Sequence, residues 1–529
     1  MPGIFSTYNT AIKGLQANSL ATQTASNNIA NAASQGYSRQ RVILQESMPY
    51  SFSNFQIGTG VDVTNIERVR DKYLDAQIWH EYASYGSYKS AQYVLEQAEI
   101  IFDAEETGLN NALTEMWTAW SDLAESPEGT NGRTIVLQAT ETFTSMLNQM
   151  ASQTDTLKAD TTALIASKTK EANSLINDIR ELNDQIYKMN LKGLEPNSLE
   201  DQRGVLLDKL SAIVNINVDY DENSKVMLTD ADTGETLLGY ETKEEPALKM
   251  SVIGSIKDDG TNQTITIYRD GDTSNPVEIT IGTGTYDFSA GDVVYVETHE
   301  WAEYDADNTD IPSLTKAELK EGGLAGNMEA LAKLEGYASQ LDDLAFSVAF
   351  TVNYILTDGD TAGTPLFDTN SDFTAADIKV NPDIQDDITL IEAGSFTTSS
   401  GDGARALLIS KLNEIRLPTD VSEANLENYL SNNYDNSGFT LSSDPAGRSF
   451  GGFYADIVAT VGSDTQRASN GVITQEALVS ALEEREESIS GVSIDEETIN
   501  LIKYSDLYAA NSKVISTLTR MLDTVLNMV

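Results

Sequence analysis

The sequence predicts a mainly α protein with a β-rich insertion. Three observations carry that prediction. Apolar residues recur at alternating steps of three and four over the last thirty residues, and again through more than fifty residues from Thr134 to Met189. Between Asn217 and His299 the period switches to two. Charge is also distributed by segment. The 529 residues carry 82 Asp or Glu against 34 Lys or Arg, a net −48, yet Met1–Gln45 contains no acid at all.

Taken in order, the first element is a helix with a stripe Phe5, Tyr8, Ile12, Leu15, Ser19, Thr22, Ser26 and Ile29. The stripe is small and polar in its middle, so it permits close packing but buries little. Asn27, Asn28 and Asn31 are placed to hydrogen-bond across packed helices or to cap the helix near Ala33–Gly36, with Gly36 as its terminator. A second helix is predicted from Ser90 to Ser126, closed by Ser126-Pro127-Glu128-Gly129. The helix from Thr134 to Met189 follows. At about 80 Å it implies an elongated bundle rather than a compact globule. The insertion holds Thr264–Tyr268, Val277–Ile281 and Val293–Val296 as strands, separated by Asp-Gly and Gly-Thr-Gly turns. A third long helix runs from about Lys316 to Leu356, and an irregular region covers about Asp368 to Ser449.

The C-terminal helix has a seam of Leu501, Tyr504, Tyr508, Asn511, Ile515, Leu518, Leu522, Val525 and Val529. Eight of these nine are apolar or aromatic, the pattern of a coiled coil, and Asn511 is the polar position that fixes register. The large side chains of this seam bury too little area to order thirty residues alone. Both ends are therefore expected to order only on each other and on neighbouring subunits.

Several function classes are disfavoured. The chain has no cysteine, so disulfides and thiolate metal sites are excluded. No run of about eighteen apolar residues exists to span a membrane. The N-terminus lacks the basic and apolar regions of a Sec signal peptide. Phosphate binding needs clustered Lys and Arg, which this acidic chain lacks, so nucleic acid is not an expected partner. The only histidines, His80 and His299, are each followed by Glu, but neither has a second His four residues on. Asp230-Ala231-Asp232-Thr233-Gly234 and Asp305-Ala306-Asp307-Asn308 read as acidic β-turns rather than calcium loops. No catalytic residue, cofactor or metal is assigned.

Two sets of residues resemble a known family. Ala11–Leu15 with Ser26-Asn27-Asn28-Ile29-Ala30-Asn31 resembles the start of flagellar axial proteins. Gly36-Tyr37-Ser38-Arg39-Gln40 and Ser490-Gly491-Val492-Ser493-Ile494-Asp495-Glu496-Glu497 resemble the hook-associated branch, the family of the first hook-associated protein (FlgK). Tyr508–Ile515 and Met521–Met528 resemble the shared axial C-terminus. Leu199-Glu200-Asp201-Gln202-Arg203 and Gly322-Gly323-Leu324-Ala325-Gly326 resemble interior motifs, with Gly204 replacing the usual acid of the first. The family's larger outer domain after Leu366-Phe367 is expected to be reduced here.

The resemblance implies a structural, non-enzymatic junction protein between flagellar hook and filament, extracellular and secreted unfolded by the flagellar type III route. Its implied partners are copies of itself, the hook protein, the second junction protein with the filament, and an export chaperone. The chain divides into a terminal coiled-coil assembly domain (1–45 with 495–529), an elongated helical body (46–216 with 313–494) and a β-rich insertion (217–312). Candidate assembly residues are Ile12, Leu15, Asn27, Asn28, Ile29 and Asn31 from one end, and Tyr508, Asn511, Ile515, Leu518, Leu522 and Val525 from the other. The alternatives are another axial subunit, or an axial scaffold whose β insertion binds glycan or carries an enzyme.

Overall fold

The computed structural model describes residues 3–52, 55–103, 108–240, 248–282, 287–297, 313–359, 362–395 and 401–527. Both chain ends are helices: α1 (Gly3–Asn31) and α11 (Ile494–Leu526) pack on each other and form a stem. Beside α1 lies an antiparallel hairpin of β1 (Gln40–Glu46) and β4 (Val61–Arg68), whose far end is the smaller hairpin β2 (Tyr50–Phe52) with β3 (Phe55–Ile57).

The body is built from long helices: α2 (Lys72–Phe102), α3 (Leu109–Glu125), α4 (Thr130–Asn190), α5 (Asn197–Ser211), α6 (Gly323–Leu356) and α10 (Phe450–Ser490). The single helix expected from Ser90 to Ser126 is two, because Asp103 turns out to an extended ψ of 116° and Gly108 adopts φ +66°. The helix expected from Lys316 begins at Gly323, since Thr315–Lys316 pairs as a strand and Gly322 holds φ +96°. Helices α2 and α10 run antiparallel along their length, from the Arg70–Glu486 ion pair (3.0 Å) to the Tyr454 hydroxyl donating to the Phe102 carbonyl (3.1 Å).

The spine is α4, whose 61 residues span about 90 Å. Val136, Phe143 and Leu147 in its first half enter a distal core with α2, α3, α6, α10 and the short helices α7 (Pro382–Asp386), α8 (Ala404–Lys411) and α9 (Glu423–Asn433). The residues read as irregular between Asp368 and Ser449 thus close the distal core. The buried Arg405 guanidinium there donates to the Ile355 and Leu356 carbonyls, carrying the C-terminal end of α6, and pairs with Asp358.

The second half of α4 enters a separate core. Ile165, Ala172, Ile176 and Ile179 pack with α5, the start of α6, and strands β5 (Ile216–Tyr220), β6 (Val226–Asp230), β7 (Thr236–Leu238), β8 (Leu248–Asp258) and β11 (Val293–Glu297). The larger sheet has the order β10-β9-β8-β11-β12, with β9 (Asn262–Tyr268), β10 (Val277–Gly282) and β12 (Thr315–Lys316). Its one face joins this core, while Ile253, Ile265, Ile267, Ile279, Val294 and Val296 make a small core on the other. The β strands therefore share a core with the body helices. The motif Gly322–Gly326 serves that union, because a Cβ on Gly326 would stand 2.0 Å from the Ser87 carbonyl oxygen of α2.

Candidate assembly interface

The stem meets the body at an elbow, and the two terminal motifs meet there. Asn28 is fully buried at the end of α1. Its Nδ2 donates to the Gln40 carbonyl (2.8 Å) and to Glu497 Oε2 (3.0 Å), while its Oδ1 accepts from the Tyr37 hydroxyl (2.8 Å) and the Gln40 amide (3.0 Å). All four hydrogen-bonding sites of the amide are used. Beside it the Arg39 amide donates to the Ser490 carbonyl (2.8 Å), and Arg39 Nη1 reaches Glu496 (2.9 Å). Ser493 caps α11 by accepting from the Glu496 amide. Burial, helped by Asp201 and Glu497, pushes the Tyr37 phenol up to about 12, so it stays a proton donor. Gly36 closes the turn at φ +73°, and a Cβ there would lie 2.2 Å from Val205 Cγ2 of α5.

Below this, two arginines latch the hairpin to the body. Arg68 pairs with Glu200 (3.0 Å) and Asp201 (2.8 Å) of α5. Arg70 pairs with Asp75 of α2 (3.1 Å) and Glu486 of α10 (3.0 Å). Arg203 of the same motif donates to Asn183 (2.9 Å) and to the Ser224 carbonyl (2.6 Å), tying α5 to α4 and to the β5–β6 turn. Four acids, Asp75, Asp208, Glu483 and Glu486, cluster on the Arg70 side of this latch. Burial raises Asp75, Asp208 and Glu486 above the usual carboxylate range, and Arg70 offsets only part of the shift for Asp75 and Glu486. The fourth, Glu483, accepts from the Tyr82 hydroxyl (2.5 Å).

In the stem, Asn28 beside Glu497 and Gly14 beside Asn511 fix an antiparallel pairing. The buried face of α1 is Ala11, Gly14, Asn18, Ala21, Ala25 and Asn28, all at steps of three and four. The expected stripe is thus one position off. Tyr8, Ile12, Leu15, Ser19, Thr22 and Ile29 are half-buried on its flank, Ser26 is exposed and Phe5 is 62% exposed. The physical reason is shape, because small side chains on α1 let the bulkier α11 seam approach closely. On α11, Leu518 is buried, and Leu501, Tyr504, Asn511, Ile515 and Leu522 are half-buried. Tyr508 and Val525 remain 40% and 42% exposed. Asn511 donates to the Leu507 carbonyl of its own helix (3.0 Å) and packs its amide on Gly14. Val529 lies outside the described residues.

Of the other candidates, Asn27 is exposed, and Asn31 Nδ2 donates back to it (2.9 Å). The sequence reading missed Arg68, Arg70, Asp75 and Glu486, which have no periodic signature, and named Glu200 and Asp201 only as part of an interior motif. It also missed a second face on α11, Leu507, Val514 and Met521, whose seven-residue spacing was visible.

His80 Nδ1 lies 3.2 Å from Glu321, and His299 and Asp305–Asn308 lie outside the described residues. Asp230 accepts from the Asp232 amide (2.8 Å) and from the Tyr295 hydroxyl, and Asp232 accepts from the Lys320 and Glu321 amides (2.8 and 3.0 Å). That turn is a structural clasp. Among the described residues no three His, Asp or Glu converge on a metal position, and no helix is long and apolar enough to cross a membrane.

The fold defines an elongated subunit whose two ends pair in one stem on a two-cored helical body. Comparison places it further. The family described as flagellar hook-associated protein FlgK helical domain matches residues 95–367, and that described as flagellar basal body rod FlgEFG protein C-terminal matches residues 487–528. The chain belongs to the flagellar hook-associated protein FlgK family. It is 25% identical to flagellar hook-associated protein 1 of Bacillus subtilis over 100% of this chain and 99% of the relative. It is 23% identical to that of Escherichia coli, over 98% and 99%. The fold resembles the flagellar hook junction protein FlgK of Burkholderia pseudomallei, with TM-score 0.54 and 13% identity, over 78% of this chain and 100% of that one.

Proposed function

We propose that this chain is a structural junction subunit that joins the flagellar hook to the filament, and that it acts by packing rather than catalysis. The observation that carries the reading is the stem. Its inward seam is satisfied within one chain, yet Phe5, Leu507, Tyr508, Val514 and Met521 leave apolar surface outward along both helices. The relatives' shared description as hook-associated proteins supports the same assignment.

In this reading, copies of the chain form a tubular ring through the stem, residues 1–45 with 495–529. The candidate assembly residues divide between two tasks. Asn28, Asn511, Ile515, Leu518 and Leu522 hold the stem together. Ile12, Leu15, Asn27, Ile29, Asn31, Tyr508 and Val525 face neighbours. The body, 46–216 with 313–494, and the β region, 217–312, form the outer part. Hook protein lies on one side, and the second junction protein and filament on the other. The chain travels unfolded through the flagellar type III route, held by an export chaperone, to an extracellular position.

Deletion of the gene tests this. Electron microscopy of the deletion strain is expected to show hooks without filaments, with flagellin in the medium. Normal filaments on the deletion strain would refute it.

A further inference from the structure

Two cavities of about 460 and 560 Å³ adjoin at the elbow, sharing Asn27 and Ser198, and form one trough over the start of α5. Asp201 lines it and is 7% exposed. One of its carboxylate oxygens takes Arg68 Nη1 at 2.8 Å, while the other is buried with no hydrogen-bond partner among the described residues. The amide side chains of Asn27, Gln35 and Gln202 line the same trough. Leu194 lines it too, and it and nearby Leu191 stand 53% and 64% exposed. A buried carboxylate oxygen without a donor is costly, and amide oxygens add acceptors. The trough is therefore shaped for a cation carried beside an apolar side chain.

The chain holds a matching element. Lys513 and Arg520 are exposed on α11 and have no ion-pair partner among the described residues. Each is followed by an exposed apolar residue, Val514 and Met521. The two pairs are seven residues apart, so they share one helix face and are separated by about 10 Å. They cannot fill the trough of their own copy. The antiparallel stem sets Lys513 level with Ile12, sixteen residues from Asn28, which is about 24 Å along the helix.

We propose that the elbow trough receives the Lys513–Met521 stretch of α11 from a second copy, with Lys513 or Arg520 reaching Asp201 and its apolar neighbour covering Leu191 and Leu194. This rests on the self-assembly reading above. It adds a specific contact, head of one stem to elbow of the next, which sets the spacing of copies.

The absence of cysteine makes the test clean. The full chain carrying Gln35→Cys with Arg520→Cys is expressed in the deletion strain, and sheared flagella are oxidised mildly. Disulfide-linked dimers and higher multimers are expected, many-fold above either single-cysteine chain, and absent from dissociated monomer. The pair Ser34→Cys with Lys513→Cys repeats the test if the first impairs assembly. Chain present in sheared flagella with both thiols labelled by maleimide but no cross-link would overturn this contact alone. Chain absent from the flagella for every variant and for the unsubstituted protein would overturn the assembly reading instead. A cross-link within the monomer would also overturn the proposal, by showing that one copy reaches its own trough.

Discussion

At the scale of single residues, Asn28 is the most constrained position in the elbow. Replacing it with Leu leaves the Gln40 amide and carbonyl, the Tyr37 hydroxyl and the Glu497 carboxylate without their shared partner. Stranded buried groups cost about 1–3 kcal/mol each, so Asn28→Leu is expected to loosen the joint by at least about 2 kcal/mol. Trypsin reports it directly, since Arg39 and Arg41 flank the contact. Cleavage there should accelerate at least tenfold while the body fragment persists, and an unchanged rate would contradict the assignment. Gly36 gives a second case. Gly36→Ala meets both a positive φ and the Val205 methyl, so it should destabilise the elbow, and Val205→Ala should restore only the steric part. Thermal melts of the single and double variants measure the split.

At the scale of elements, the stem separates folding from assembly on two faces of one helix. Ala21→Leu forces a large side chain into the close α1–α11 seam, and is expected to lower helical signal by splaying the stem. Ile12→Ser lies on the half-buried flank, and should leave circular dichroism nearly unchanged while reducing filament attachment in cells. The reverse pattern would exchange the two faces. The sequence made most of this legible. The α11 seam, the spine α4 and strands β9 to β11 follow from period alone. The α1 face was misread because periodicity weights large apolar residues, whereas the seam selects Ala and Gly for their smallness. The Arg68–Asp201 and Arg70–Glu486 pairs were illegible, because their partners are more than a hundred residues apart and carry no spacing signal. The motifs around Asn28 and Glu497 were recognisable as motifs, but only the fold shows that they touch.

At the scale of the whole molecule, charge sets a pH response. Asp75, Asp208 and Glu486 are raised by burial, so the folded chain binds more protons than the unfolded chain below those raised values. Stability therefore rises as pH falls from neutral toward about 4, the unfolded carboxylate range. Exposed Asp259, Asp387, Asp420 and Asp435 are lowered by hydrogen bonds from nearby backbone amides and side chains, and their contribution is lost as pH falls further. A melting temperature higher at pH 5 than at pH 7.5 is expected, and Asp208→Asn should flatten that slope. A slope of the opposite sign would show that the ion pairs of Arg70 outweigh burial. The central claim is that the stem is a separate unit on which assembly depends, and Leu518→Asp with Leu522→Asp tests it most directly. Both residues pack toward α1, far from either body core. Two unpaired charges in that seam cost several kcal/mol. The double variant should keep the main melting transition of the body and still be exported, yet leave cells with hooks that carry no filaments. Normal swimming, or collapse of the main transition, would contradict the account.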